Sequence, residues 1–434
     1  MNNTVKVIGA GLAGCEAAWQ LAKRGINVTL YEMKPVKYSP AHKMEGFAEL
    51  VCSNSLKAEH LTNASGLLKA EMRLLDSLVL QAAEKARVPA GGALAVDRDV
   101  FSSFITNAMQ QHPLIEIRRK KVDEIPDSPV IIATGPLTDD ALADAITALP
   151  GFQALHFFDA AAPIVTYESL NLDKVFRASR YDKGSDYLNC PMDEDEYNRF
   201  YDALVEAELA PLHDFDKKMV FEGCLAVEIL ASRGRQTLAF GPLKPVGLVD
   251  PRTGKAPYAN VQLRQDNESG TLYNLVGFQT RLKWGEQKRV FSMIPGLENA
   301  EFARYGVMHR NTYLNSPDVL TDNYRLKDNP FFRFAGQITG VEGYMESASS
   351  GLVAGLTMAK RILGEEEPVF PDTTVIGALA KHVKTQTANF QPMNSNFGIL
   401  SPMQERIRGK RNRYEKMAER SLNEMNSIIE TYKL

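Results

Sequence analysis

Two cysteines stand where a thiol could react. Cys52 lies in Phe47-Ala48-Glu49-Leu50-Val51-Cys52-Ser53-Asn54-Ser55-Leu56-Lys57, a polar turn that also carries a lysine. Cys224 ends Val220-Phe221-Glu222-Gly223-Cys224, where a glycine lets the backbone pass close to a ligand. A thiolate is the reactive form of such a residue, and nearby cations favour it. Local context leaves two readings open at each position: a reactive thiol, or a small structural residue. Cys190, before Pro191, has no polar partner, and Cys15 falls on a packed helix face, so both read as structural. None of the four cysteines forms a CxxC pair, so no metal site is expected.

A second chemistry is phosphate binding. Gly9-Ala10-Gly11-Leu12-Ala13-Gly14 has the GxGxxG spacing. Stepping outward, the elements that must hold it are in register. Val5-Lys6-Val7-Ile8 reads as a short buried strand, and a helix with Leu12, Cys15, Trp19 and Ala22 on one face follows the glycines. Residues 27–31 read as a second strand, closed by Glu32, 18 residues past Gly14. In such a unit Gly9 permits the tight turn, Gly11 lets the backbone approach a pyrophosphate, and Gly14 lets helix pack on strand. Glu32 is spaced to bind a ribose hydroxyl, and the helix amides face the phosphates.

Two later segments favour FAD over NAD. Val130-Ile131-Ile132-Ala133-Thr134-Gly135-Pro136 reads as a strand ending in a small-residue turn, of the kind that borders adenosine in flavoproteins with two dinucleotide folds. Phe334-Ala335-Gly336-Gln337-Ile338-Thr339-Gly340-Val341-Glu342-Gly343-Tyr344 reads as a strand and glycine loop leading into a helix at about Met345. Thr134, Gly135, Gly336, Gln337, Gly343 and Tyr344 are thus candidate cofactor residues. The helix dipole there suits an anionic reduced flavin. Gln337 occupies the position where such proteins usually carry an Asp that binds the ribityl chain.

The chain has 434 residues, 44% hydrophobic and 24% charged, with net charge −3. That is an ordinary globular balance for about two domains, and it excludes a uniformly basic nucleic-acid binder. No apolar run reaches the length of a bilayer span and no signal peptide precedes the first strand, so a cytoplasmic protein with no membrane partner is expected. Helical patterns at 67–86 and 100–111 alternate with strands near 116–118 and 130–133. From about residue 165 aromatics, prolines and short strands take over, as at 261–264 and 273–280. The expected fold class is α/β: a Rossmann-like FAD-binding domain of the two-dinucleotide-fold type with an inserted α+β substrate domain. The FAD-binding domain would span 1–160 and return at 306–400, around an insert at 161–305. A basic helical tail fills 401–434. From Met403 on, the tail opens with Arg406, Arg408, Lys410, Arg411, Arg413, Lys416 and Arg420 against Glu405, Glu415 and Glu419. It reads either as a solvated helix face or as a contact for phosphates, with Arg411 and Arg413 as candidates.

These segments together resemble the folate- and FAD-dependent tRNA (uracil-5-)-methyltransferase family. The resemblance is carried by residues 7–14, Pro40-Ala41-His42, 49–56, Pro89-Ala90-Gly91-Gly92-Ala93-Leu94-Ala95-Val96-Asp97-Arg98, 221–224, Gly277-Phe278-Gln279-Thr280, 305–311 and 334–355. It covers essentially the whole chain. It implies an enzyme that forms 5-methyluridine at T-loop position 54 of tRNA. Its co-substrate would be 5,10-methylenetetrahydrofolate, and FAD would be reduced by NADPH or NADH. It implies Cys224 as the nucleophile at uracil C6 and Cys52 as a helper thiol, perhaps the C5 base, with the division of roles left open. No obligate protein partner is implied.

The chemistry agrees with that pattern. Uracil C5 is a poor nucleophile, and a thiolate adding at C6 turns it into an enolate carbon. A base must then remove the C5 proton. Other candidates keep two readings each. Trp284 stacks on folate or a base, or is core. His309 and Arg310 meet folate or RNA phosphate, or form a polar turn. Tyr344 stacks on the flavin or folate ring, or packs. Glu342 and Glu346 carry protons or are helix N-terminal carboxylates. The rival functions are the same chemistry on ribosomal RNA and a small-molecule flavin oxidoreductase. The longer flavin and folate enzyme that modifies wobble uridine is a poorer match, because this chain lacks its C-terminal extension.

Overall fold

The structure, a computed structural model, describes residues 4–127, 129–152, 154–160, 162–182, 184–210, 225–306, 308–387 and 390–434; of 154–160, 182 and 308–310 it describes the backbone only. A parallel five-stranded sheet runs in the order Phe332–Phe334, Val130–Ile132, Thr4–Ile8, Asn27–Glu32, Ile115–Arg119. Val130–Ile132 is a fully buried aliphatic run, covered on both faces, and Val5, Val7, Ile8, Val28 and Leu30 are the buried members of the neighbouring strands. Helix Leu12–Lys23 lies on one face and packs against Tyr344–Ile362. The approach is close because both helices present small residues. A Cβ on Gly351 would lie 2.1 Å from the Ala13 carbonyl oxygen, and one on Gly355 would lie 2.5 Å from that of Ala17.

An antiparallel six-stranded sheet occupies the middle of the chain. Its order is Phe176–Arg177, Tyr187–Met192, Ala259–Gln265, Leu272–Leu275, Ile164–Thr166, Phe302–Arg304. It covers its own hydrophobic core, built on residues such as Val165, Phe200, Leu263 and Phe278, apart from the core beneath the parallel sheet. Two further antiparallel pieces join the halves: Ala154–Ala160 with Met308–Leu314, and Ser55–Ala58 with Ala93–Val96 and Arg87–Val88.

Several elements depart from the sequence expectation. The helical stretch at 67–86 is two helices, Ala64–Leu74 and Leu78–Lys85. Asp76 takes a left-handed φ of 56°, and the Ser77 side chain accepts from the Leu80 amide as a new N-cap. The strand expected at 273–280 stops at Leu275, ahead of Gly277, which has φ +81°. The tail helix begins at Lys410, after Gly409 with φ +85°, and not at Met403.

Candidate active site

The glycine turn opens on a cleft. Strand Thr4–Ile8 ends at Gly9, whose φ is +98°; a Cβ there would stand 2.6 Å from the Ala133 carbonyl oxygen. A Cβ on Gly14 would stand 1.8 Å from the Gly9 carbonyl oxygen. Gly11 differs, since a Cβ there meets nothing within 4 Å. Its neighbourhood is open, and the first turn of helix Leu12–Lys23 has no side-chain cap and no acidic residue. Unmet helix amides facing open space suit a phosphate.

Glu32 closes the other side of the turn. One carboxylate oxygen accepts from the Ala10 amide at 3.0 Å and the other from the Lys34 amide at 2.9 Å. The cleft is lined by Gly9, Ala10, Gly11, Leu12, Ala13 and Glu32 from the first unit, Thr134 and Gly135 from the second, and Gly336, Gln337 and Tyr344 from the third. Its empty space, counting the open mouth, is about 1160 Å³. Gly14 and Gly343 are not on its wall; they serve packing. At Gly343 φ is +121°, and a Cβ would lie 2.2 Å from Glu346 Oε2. Thus the three segments expected to meet around one dinucleotide do line one cleft, and its donors and open glycines fit FAD. Gln337 donates through Nε2 to Glu342 at 2.6 Å, so its amide nitrogen is already engaged.

Tyr344 has a more specific place than stacking or packing. Its hydroxyl accepts from the backbone amides of Cys52 at 2.7 Å and Ser53 at 3.1 Å. Burial, then the charge of Cys52, pushes the phenol pKa up. A wall residue of the cleft therefore holds the cysteine turn. Beside it, Glu346 is buried and receives Lys57 Nζ at 2.9 Å and the Ser395 hydroxyl at 2.7 Å. Burial alone would raise the Glu346 carboxyl, but Lys57 and Ser395 outweigh it and hold it below the usual range.

The sequence reading did not single out three arginines around the same turn. Arg98 donates to the Leu50 carbonyl and pairs with Asp266 at 3.1 Å. Arg304 donates to the Val51 carbonyl. Arg264 donates to Asn54 Oδ1 at 2.9 Å and Ser53 Oγ at 2.7 Å. Arg98 lay within a segment that carried the resemblance; Arg264 and Arg304 had no local signal. His42, Lys34 and Glu49 also line the cleft. Burial, then Lys34, holds His42 below its ordinary pKa, and its Nδ1 lies 2.5 Å from Ser39 Oγ.

The remaining candidates are scattered. Cys224 lies outside the described residues. His309 and Arg310 have only their backbone described, in strand Met308–Leu314. Trp284 is not core: it is 61% exposed and stacks on Tyr305 at 5.4 Å, which stacks in turn on Phe302. Arg411 is exposed and pairs with Glu415, and Arg413 lies over the Tyr414 ring. Cys15 and Cys190 are buried, and burial raises both thiols.

A parallel sheet with a glycine turn, a carboxylate at the end of its second strand and a returning glycine loop defines a flavoprotein-type α/β fold. The comparisons agree. The family model "Glucose inhibited division protein A" matches residues 4–366. A structure of GidA from Aquifex aeolicus superposes with a TM-score of 0.70 at 15% identity, over 98% of this chain and 73% of that one. The methylenetetrahydrofolate–tRNA-(uracil-5-)-methyltransferase TrmFO of Listeria monocytogenes serotype 4b (strain F2365) is 59% identical over 432 residues, 99% of this chain and all of the relative. The protein of that name from Staphylococcus aureus (strain JH9) is 58% identical over 434 residues. The chain belongs to the TrmFO family, within the wider glucose inhibited division protein A family.

Proposed function

We propose that this chain methylates C5 of a uridine in the T arm of tRNA, taking its carbon from 5,10-methylenetetrahydrofolate. The observation that carries the reading is the bond from the Cys52 amide to Tyr344, a wall residue of the dinucleotide cleft. It ties a thiol turn to the cofactor site, as a reaction between an activated uracil and a reduced cofactor requires. The printed names of the full-length relatives support the same substrate and donor.

FAD, when bound and reduced by NADPH or NADH, would supply electrons and carry the one-carbon unit. Gly11 and the helix amides behind it would hold its pyrophosphate, Glu32 a ribose, and Gly336 and Gln337 the flavin end. Cys224 would add to uracil C6, and Cys52 would serve the C5 proton. Trp284, His309 and Arg310 would meet folate or RNA, and Arg411 and Arg413 the RNA backbone. On this reading 1–160 and 306–400 form the FAD unit, 161–305 the substrate unit and 401–434 the RNA-binding tail. The enzyme would work in the cytoplasm without an obligate protein partner.

The test incubates the protein with unmodified tRNA, NADPH and labelled methylenetetrahydrofolate, then digests the RNA. Label in T-loop 5-methyluridine is expected. Label in ribosomal RNA alone, or NADPH oxidation indifferent to folate, would overturn the reading. Cys52→Ala and Cys224→Ala should each abolish labelling while leaving the protein yellow.

A further inference from the structure

The arginines around the cysteine turn are unusual in how their charge is matched. They come from three elements: Arg98 from helix Arg98–Gln111, Arg264 from strand Ala259–Gln265 and Arg304 from strand Phe302–Arg304. Together they hold Leu50, Val51, Ser53 and Asn54, the residues on both sides of Cys52. Asp266 is the partner of Arg98. Among the described residues neither Arg264 nor Arg304 has a carboxylate partner, and the buried Nε of Arg304 has no hydrogen-bond partner. Burial and the neighbouring Arg98 act against both charges; Asp266 favours that of Arg264 and Glu49 that of Arg304, neither as an ion-pair contact.

Buried cations without an anion are costly. The remaining charged groups facing the turn are few. Glu49 accepts from the Lys43 and Met44 amides, and Lys57 pairs with Glu346. Tyr344 accepts two amides, and its phenol is pushed toward the neutral form. Cys52 sits between the held residues Val51 and Ser53, and a negative charge on its sulfur would favour all three arginines.

We propose that Arg98, Arg264 and Arg304 are positioning residues for Cys52, clamping its turn and holding its sulfur as the thiolate. Two of the three come from the antiparallel sheet, so the thiolate is set up only where that sheet packs on the cysteine turn. The assignment rests on the reading of Cys52 as a working thiol.

The test uses the full chain loaded with FAD and follows alkylation of Cys52 by peptide mass spectrometry between pH 5 and 10. At pH values below both inflections, iodoacetamide should label Arg304→Gln about tenfold more slowly than wild type, the effect of a one-unit rise in the inflection. Arg304→Lys, which keeps the charge, should recover most of the rate. In the wild type, anionic iodoacetate should be favoured over neutral iodoacetamide more strongly at Cys52 than with free glutathione. That second measurement needs no variant, so it decides the matter if Arg304→Gln does not fold. An unchanged inflection in folded Arg304→Gln, or a reagent ratio equal to that of glutathione, would sink the proposal. Neither measurement uses tRNA or folate. A protein that passes both but does not methylate tRNA would refute the proposed function and leave the arginine assignment standing.

Discussion

At the scale of single residues, the glycines of the first turn divide by what surrounds them. Gly9 and Gly14 touch backbone, whereas Gly11 faces open space. Gly14→Ala should therefore unfold the turn, because its Cβ would overlap the Gly9 carbonyl. Gly11→Ala should keep the melting temperature of flavin-free wild type and lose flavin, seen as a fall in the 450 nm absorbance per chain at roughly constant circular dichroism. Equal losses of stability in both variants would contradict the division. The spacing of these glycines and of Glu32 was readable because the unit is local: Gly14 packs on Gly9, and Glu32 accepts from the Ala10 amide, all within the first 32 residues. The arginine clamp was not readable for the opposite reason. Arg264 meets Asn54 across 210 positions and Arg304 meets Val51 across 253. Their selection depends on how two strands of a six-stranded sheet lie over a turn, which no local pattern encodes. Trp284 shows the same limit: the sequence left it open between a stacking residue and core, and only the fold shows that it ends an aromatic stack at the surface.

At the scale of elements, the tail helix Lys410–Tyr432 has two different ends. From its third turn on it buries Met417, Ser421, Met425 and Ile428. Its start is exposed, and Arg411 and Arg413 lie at the positive end of the helix dipole. Arg420, by contrast, is used internally, donating to the carbonyls of Ser401 and Pro402. Arg411→Ala with Arg413→Ala should weaken tRNA binding and reduce the slope of log K against log salt by about 1–2. Arg420→Ala should instead lower thermal stability and leave that slope alone. Fluorescence anisotropy across a salt series separates the two; an unchanged slope in the double variant would remove the tail from the RNA surface. The charge run was visible in the sequence. Which members of it face solvent was not, because that depends on the packing of the helix.

At the scale of the whole molecule, Glu71 fastens the C-terminal region. It is fully buried and accepts from the Val375 and Ile376 amides at 2.8 Å and from the Ser421 hydroxyl. Burial raises its carboxyl pKa to about 7, against the pull of those donors. The folded chain thus keeps a proton that the unfolded chain releases at the ordinary carboxylate value. This contribution to stability is complete below that value and is lost as pH rises through about 7. Relative to Glu71→Gln, the wild type should lose roughly 1–3 kcal/mol of unfolding free energy between pH 5 and pH 8. Urea midpoints at the two pH values measure this, and a constant difference would show that Glu71 does not titrate there.

The order of the parallel sheet also has a consequence for synthesis on the ribosome. Four of its strands lie within the first 132 residues, but the outer one is Phe332–Phe334. Helix Leu12–Lys23 likewise waits for Tyr344–Ile362 to cover Ala13 and Ala17. For about 200 residues of translation, roughly 10–40 s at ordinary elongation rates, the nascent chain exposes a sheet edge and an apolar helix face. A truncated product ending before that helix would carry a complete glycine turn and still be unable to keep a flavin.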